Sequence, residues 1–287
     1  MRFKIGPFNV DILLSLAQDI EQVKPSEPIH TIESIMPIKP TSNSLGRVQE
    51  IIYKITSAFE GGPIGKINFL NLSDNNDGQG FSIGFLQQCV GQGSDIPVFN
   101  RMNSLYPDEF KKALGPVLYK DLIDHLNLPT AQRLHWAISS VNASKGIDPT
   151  WKSAFAFLCA TKEFQEVQLY FAQKIFDKAV ALCNVYGLKT VRGLMLMFDI
   201  ITQNGSIKDA TKSNILETKV AKEKILGRAL KEVEYLEIIA VKRAEAANPR
   251  WVNDVKSRKL CIVYGKGKVH SDYYDLSKLG LSDDLFN

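Results

Sequence analysis

The sequence is short of cysteine, of long apolar runs and of excess charge of one sign, and each shortage removes a class of protein. It has four cysteines in 287 residues, Cys89, Cys159, Cys183 and Cys261, far apart and without a C-x-x-C pair. That excludes a small disulfide scaffold and leaves no thiolate metal cage. Each thiol lies among apolar residues and reads as a buried free cysteine. His30, His125, His135 and His270 are equally scattered, so no metal or other cofactor is expected. The longest apolar candidate, 193–201, contains Asp199 and falls short of the roughly 18 residues of a membrane span. Asp11 interrupts the stretch Val10–Leu16, and no small-residue cleavage site follows, so no secretory signal is read. The expectation is synthesis in the cytoplasm, with any target at the cell wall or periplasm reached by export or lysis. Lys and Arg number 35 against 31 Asp and Glu, a net charge of +4. This is too even for a nucleic-acid binder. There is no Gly-x-Ser-x-Gly elbow, no internal repeat and no low-complexity tract. Gly61-Gly-Pro-Ile-Gly65-Lys66 is one residue short of a phosphate loop.

The hydrophobic fraction is 45% and the charged fraction 23%, ordinary for a globular chain. Residues 8–24 read as a short amphipathic helix. Pro25, Pro28, Pro37 and Pro40 then mark an extended arm to residue 45. The main domain, 46–287, opens with a helix over 46–60, because Val48, Ile52, Ile55 and Phe59 share one face. Gly61-Gly62-Pro63 stops it. Residues 65–90 read as a small Gly- and Asn-rich hairpin region, with a strand over 67–72. From about 107 to 248 the pattern is mainly helical: a stripe over 110–122, then 130–141, 149–160, 163–186, an all-round apolar helix over 189–203, and a charged helical region 209–247 interrupted near Gly227. Phe155, Phe157, Tyr170 and Phe171 are expected in the core, and core or rim packing is favoured over sugar stacking for Trp136 and Trp151. The run 259–264 reads as a small strand or extended closing segment.

Two carboxyl groups stand in contrasting settings. Glu60 closes an apolar helix beside Phe59. Apolar surroundings and a helix C-terminus both favour a protonated carboxyl, which suits a general acid. Asp77 opens a polar, glycine-rich turn suited to an ionised carboxylate. Such a contrast is what glycoside hydrolysis uses.

Glu60-Gly-Gly, a strand, then Asp77-Gly-Gln-Gly-Phe-Ser-Ile-Gly84 resembles the catalytic hairpin of the bacterial chitosanases and the related lysozyme-like peptidoglycan hydrolases. Residues 86–94, 198–205 and 258–276 resemble further segments of the peptidoglycan-cleaving relatives, so the likeness spans roughly 46–282. The resemblance implies an α+β, mainly α, lysozyme-like fold with a small β-hairpin region and a helical lobe. It implies Glu60 as general acid, Asp77 as general base and Ser82 as the hydroxyl that helps hold the water, with inversion at the anomeric carbon. It also implies Asp74, Gln79, Gln87 and Asp95 as substrate-binding candidates, Asp95 after a one-residue insertion. Chitosanases usually carry Arg at the place of Gln79 and Thr at that of Ser82. Asp199, Gln203 and Asn204 read either as hydrogen-bonded core groups or as the polar floor of a sugar groove. His270 reads as a structural histidine.

The expected activity is hydrolysis of the β-1,4-linked amino-sugar backbone of peptidoglycan. A chitosanase of the same mechanism and a non-catalytic wall-binding protein on the same fold are the alternatives. Expected partners are that polymer and, for delivery or control, a secretion machine, a phage or an immunity protein. The arm 1–45 is a candidate docking element.

Overall fold

A computed structural model describes residues 46–75, 78–143 and 146–286. The readings of 8–24 and 25–45, and that of Asp77, therefore lie outside the described residues.

Helix α1 (Arg47–Phe59) forms where the spacing predicts it and buries Ile52, Tyr53, Ile55 and Phe59. Three two-residue strands follow, β1 (Leu72–Ser73), β2 (Ser82–Ile83) and β3 (Gln88–Cys89), antiparallel in that order. Ser73 stands opposite Ser82, and Ser82 opposite Cys89. The strand expected over 67–72 shrinks to its last position. The Asn68 amide donates to Ser57 Oγ and the Asn71 amide to the Asn68 carbonyl, so these groups serve a turn rather than a ladder.

Helix α2 (Ile96–Leu105) is an element the sequence reading omitted. Helix α3 (Pro107–Leu126) is broken at Gly115, ahead of Pro116. Helix α4 (Thr130–Trp136) widens into a π-turn over Ala137–Val141, and a small hairpin pairs β4 (Asn142–Ala143) with β5 (Gly146–Ile147). Helices α5 (Pro149–Ala160), α6 (Lys162–Tyr186) and α7 (Val191–Asn204) lie within a few residues of expectation. Gly227 divides the charged region into α8 (Asp209–Leu226) and α9 (Glu232–Glu245). The run 259–264 is neither strand nor extended: it is the last half of α10 (Val252–Tyr264). A hairpin of β6 (Lys266–Val269) and β7 (Asp272–Asp275) closes the chain. The α+β, mainly α class is as expected.

The buried side chains form two cores. One gathers α1, α7, α9, α10 and the closing hairpin around Phe59, Leu194, Phe198, Leu236 and Ile262. The other gathers the β1–β3 sheet and α2 to α5 around Phe81, Ile83, Phe99, Trp136 and Phe155. Helix α6 serves both: Phe164, Val167 and Phe171 belong to the second, Ala172, Ile175, Ala179 and Cys183 to the first. The molecule is thus two lobes on one long helix. Trp136 and Trp151 are buried edge to face in the second lobe. Phe157 corrects its core expectation, being 56% exposed. All four cysteines are buried. His270 lies 3.3 Å from the Asp254 carboxylate. Among the described residues no helix is long and apolar enough to cross a membrane.

Candidate active site

Glu60 stands where α1 ends, at the seam between the lobes. Its neighbour Phe59 anchors in the first core, with the Tyr274 ring edge-on at 5.1 Å and the Tyr274 hydroxyl donating to the Ala58 carbonyl. On the other side, Asn71 Nδ2 donates to the Glu60 carbonyl at 2.8 Å. Asn71 leads directly into β1, so the acid is tied to the start of the sheet. The sheet's inner residues, Phe81 and Ile83, belong to the second core. Ser73 and Ser82, which flank the connection containing Asp77, stand opposite each other in the sheet.

Glu60 is buried, its side chain 1% exposed. Its surroundings are apolar on the Phe59 side only. Arg258 Nη1 of α10 lies 2.8 Å from Glu60 Oε1, and the Arg258 guanidinium sits 5.1 Å from the Phe59 ring centre. Arg258 Nε reaches Asp199 Oδ1 of α7 at 2.6 Å, and Lys259 Nζ reaches Asp199 Oδ2 at 3.0 Å. Lys259 Nζ also donates to Gln203 Oε1 at 2.8 Å. Glu60, Arg258, Asp199 and Lys259 thus form one buried ionic chain. Burial alone would raise the Asp199 pKa, but Arg258 and Lys259 outweigh it and hold it below its ordinary value. Burial would lower that of Arg258, and Asp199 and Glu60 reverse this, so the guanidinium stays charged. Removing one partner from such a group leaves an uncompensated buried charge.

The substrate-binding candidates divide. Asp199 is buried and its carboxylate is committed to Arg258 and Lys259, which corrects its reading as a groove floor in favour of the core alternative. Gln87 is also buried, at φ +51, accepting from Ser73 Oγ and donating to the Asn71 and Gly84 carbonyls. It holds the sheet and offers nothing to a polymer. Asp95 is fully enclosed at the head of α2 and has no face toward a ligand. Burial pushes its pKa up to about 7, against the lowering by Arg133. Gln203 and Asn204 remain partly exposed at the end of α7. Arg243 donates to the Asn204 and Ser206 carbonyls there. Asp74 and Gln79 are partly exposed in the connection to β2, as is Ser82 on that strand. The Gln79 carbonyl accepts from the Gly91 amide, and Asn75 Oδ1 accepts from that of Gly80.

Arg258 and Lys259 are the site-building residues that sequence reasoning did not single out. A signal was present. Asp199 is the one ionisable group in the apolar run 193–201, and a buried carboxylate demands a cation. The adjacent pair Arg258-Lys259, running into Leu-Cys-Ile-Val, is the matching basic group in an apolar setting.

A two-lobed, mainly helical body with a glutamate at the end of its first described helix, facing a short β-sheet, is the architecture of a lysozyme-like glycosidase. The model of Glycosyl hydrolase family 46 matches residues 54–259; the chain belongs to this family and is a glycoside hydrolase. No curated protein sequence matches it. Among solved structures, the fold is similar to native chitosanase from Bacillus subtilis MY002, at 16% identity and a TM-score of 0.57, over 81% of this chain and 98% of that one. The chitosanase of Gynuella sunshinyii in complex with chitotetraose gives 15% identity and a TM-score of 0.57 over the same shares. Chitosanase OU01, crystallised with substrate, gives 18% and 0.56, over 79% of this chain and 94% of that one.

Proposed function

We propose that the chain hydrolyses the β-1,4-linked amino-sugar backbone of bacterial peptidoglycan by single displacement. Glu60 gives its proton to the oxygen of the scissile bond. Asp77, with Ser82 holding the water, takes a proton as that water attacks the anomeric carbon, so one water is divided across the broken bond. As Glu60 becomes a carboxylate, the Arg258 guanidinium is already in place to receive the charge, a preorganised stabilisation that requires no rearrangement at the moment of reaction. The observation that carries the reading is this buried glutamate at the end of α1, with Arg258 Nη1 2.8 Å from its Oε1. The likeness of 86–94 and 258–276 to peptidoglycan-cleaving relatives favours that polymer. So does Gln79, where the chitosanases usually carry an arginine. A second reading, a chitosanase with the same chemistry, is favoured by the structural neighbours, one of which was solved with six GlcN units. Asp74, Gln79, Gln203 and Asn204 are the proposed sugar contacts. Delivery by a phage or a secretion machine, and control by an immunity protein, belong to the same proposal.

The test is digestion of purified peptidoglycan and, separately, of chitosan, by wild type and Glu60→Gln. Products are read by mass spectrometry and by new reducing ends. Muropeptides from wild type alone support the first reading, and glucosamine oligomers support the second. Loss of general acid catalysis predicts a fall of about 10²–10⁴-fold in Glu60→Gln, with the fold retained in circular dichroism. Wild-type turnover in that variant would remove Glu60 from the mechanism, and inert wild type on both polymers would leave a wall-binding protein.

A further inference from the structure

Helix α8 buries only one of its 18 residues, Ile215. Polar contacts hold it against α9. Lys219 Nζ lies 5.1 Å from the Tyr235 ring centre, Lys222 Nζ 3.9 Å from Glu237 Oε2, and Glu223 Oε1 accepts from the Leu230 amide. The outer side carries apolar side chains. Leu216 and Val220, four residues apart, share a face with Lys224. Ile225 and Leu226 end the helix, and Val233 follows on the first turn of α9. Ile225 is 83% exposed and Val220 63%. Of the fifteen large apolar side chains exposed among the described residues, five fall within 216–233. Scattered singly they would be ordinary surface; gathered on one element they mark a contact face.

The same stretch carries the charge of the molecule. Residues 208–231 hold seven basic residues against three acidic, a net +4. That equals the net charge of the whole chain, so the rest holds 28 of each sign and is neutral. Lys219, Lys222 and Arg228 are paired, with Glu223, Glu237 and Glu234. Lys208, Lys212, Lys224 and Lys231 pair with no carboxylate among the described residues.

We propose that the outer side of α8 and its corner with α9 dock the protein on a bilayer surface of anionic lipid. Val220, Ile225 and Leu226 enter the headgroup boundary, and Lys224 and Lys231 meet lipid phosphates. Apolar side chains set among lysines on one exposed helix are the chemistry such a surface takes up. A soluble polyanion would engage the lysines and leave the apolar side chains in water. A second copy of the chain would bring like charge against like. The stretch 1–45, with four basic and five acidic residues, has almost no net charge to match.

The experiment floats the full chain with vesicles of phosphatidylcholine alone and of an equal mixture of phosphatidylcholine and phosphatidylglycerol. The expected result is binding to the mixture, little to phosphatidylcholine, and weakening with added salt. Lys224→Gln with Lys231→Gln should lower the partition coefficient about 25-fold, roughly fivefold for each charge near an anionic surface. Val220→Ser with Ile225→Ser should lower it about tenfold through lost apolar burial. All four side chains are outside the cores, so circular dichroism should report an unchanged fold. The same two kinds of change on another exposed helix face, Lys112→Gln with Val117→Ser on α3, should leave binding as in wild type. Wild type that does not float with the mixed vesicles overturns the proposal. So does equal binding by every variant, which would place the lipid contact elsewhere in the chain. Binding that needs the lysine pair, ignores the apolar pair and is fully competed by soluble polyphosphate overturns it in favour of a soluble polyanion.

Discussion

Asp95 and Asp199 are both completely buried carboxylates, and their opposite behaviour comes from their partners. Asp199 has two cationic groups within 3.0 Å. Asp95 has the field of Arg133, whose own hydrogen bonds go to the Val90 and Leu128 carbonyls. Burial therefore wins at Asp95 and lifts its pKa to about 7, against about 3.9 for an unfolded aspartate. The folded state then holds a proton that the unfolded state has lost, so this group favours the fold below pH 4. Its contribution is lost as pH rises from about 4 to 7, and the penalty is complete above that. Asp199 runs the other way: its lowered pKa adds stability above about pH 4, which acid removes. Asp95→Asn should thus raise stability at pH 8, by on the order of 2–4 kcal/mol, and change it little at pH 4. Urea unfolding at the two values checks this. An equal effect at both would mean that Asp95 is not protonated in the native state.

At the scale of elements, the join between sheet and long helix is the most sensitive place. Gly84 follows β2 at φ +83, and a Cβ there would meet Gln168 Oε1 of α6 at 2.4 Å. Gln168 accepts from the Phe85 amide and donates to the Phe69 carbonyl, so it fastens the sheet to α6. Gly187, the C-cap of α6, also has positive φ, at +67, but a Cβ there meets nothing within 4 Å. Gly187→Ala should cost about 1 kcal/mol from the backbone alone. Gly84→Ala should cost about 2 kcal/mol more, since it also breaks the Gln168 bridge. Denaturant midpoints of the two variants decide it, and equal losses would mean that the bridge carries no weight. The same join shows what a sequence displays and what it hides. The stripes of α1 and α6 and the apolar girth of α7 are legible because their buried positions are apolar. The fully buried side of α10 includes Arg258 and Lys259, which a hydrophobic pattern scores as surface, so its period is lost and the run after them looks extended. Strands of two residues have no period to detect. Glu60 was legible by its place at a helix end before Gly-Gly, but its cation lies far along the chain, and no local pattern joins the two.

The whole molecule sets the distance across which the reaction must run. Glu60 is carried by the first lobe and Ile83 of β2 by the second, while α6 passes through both cores. The proposed single displacement needs acid and base far enough apart to admit a water between base and sugar. Inverting glycosidases hold their carboxyl groups about 6.5–9.5 Å apart, retaining ones about 5–5.5 Å. On the proposed reading, with Glu60 as acid and Asp77 as the base that activates water, the wider spacing applies and the anomeric carbon is inverted. The first product released from a β-linked polymer should therefore carry the α configuration at its new reducing end. Proton NMR of the anomeric signals within minutes of adding enzyme, before mutarotation mixes them, reads this directly. An initial burst of β-anomer would require a covalent glycosyl intermediate and would move Asp77 from activating water to attacking the sugar.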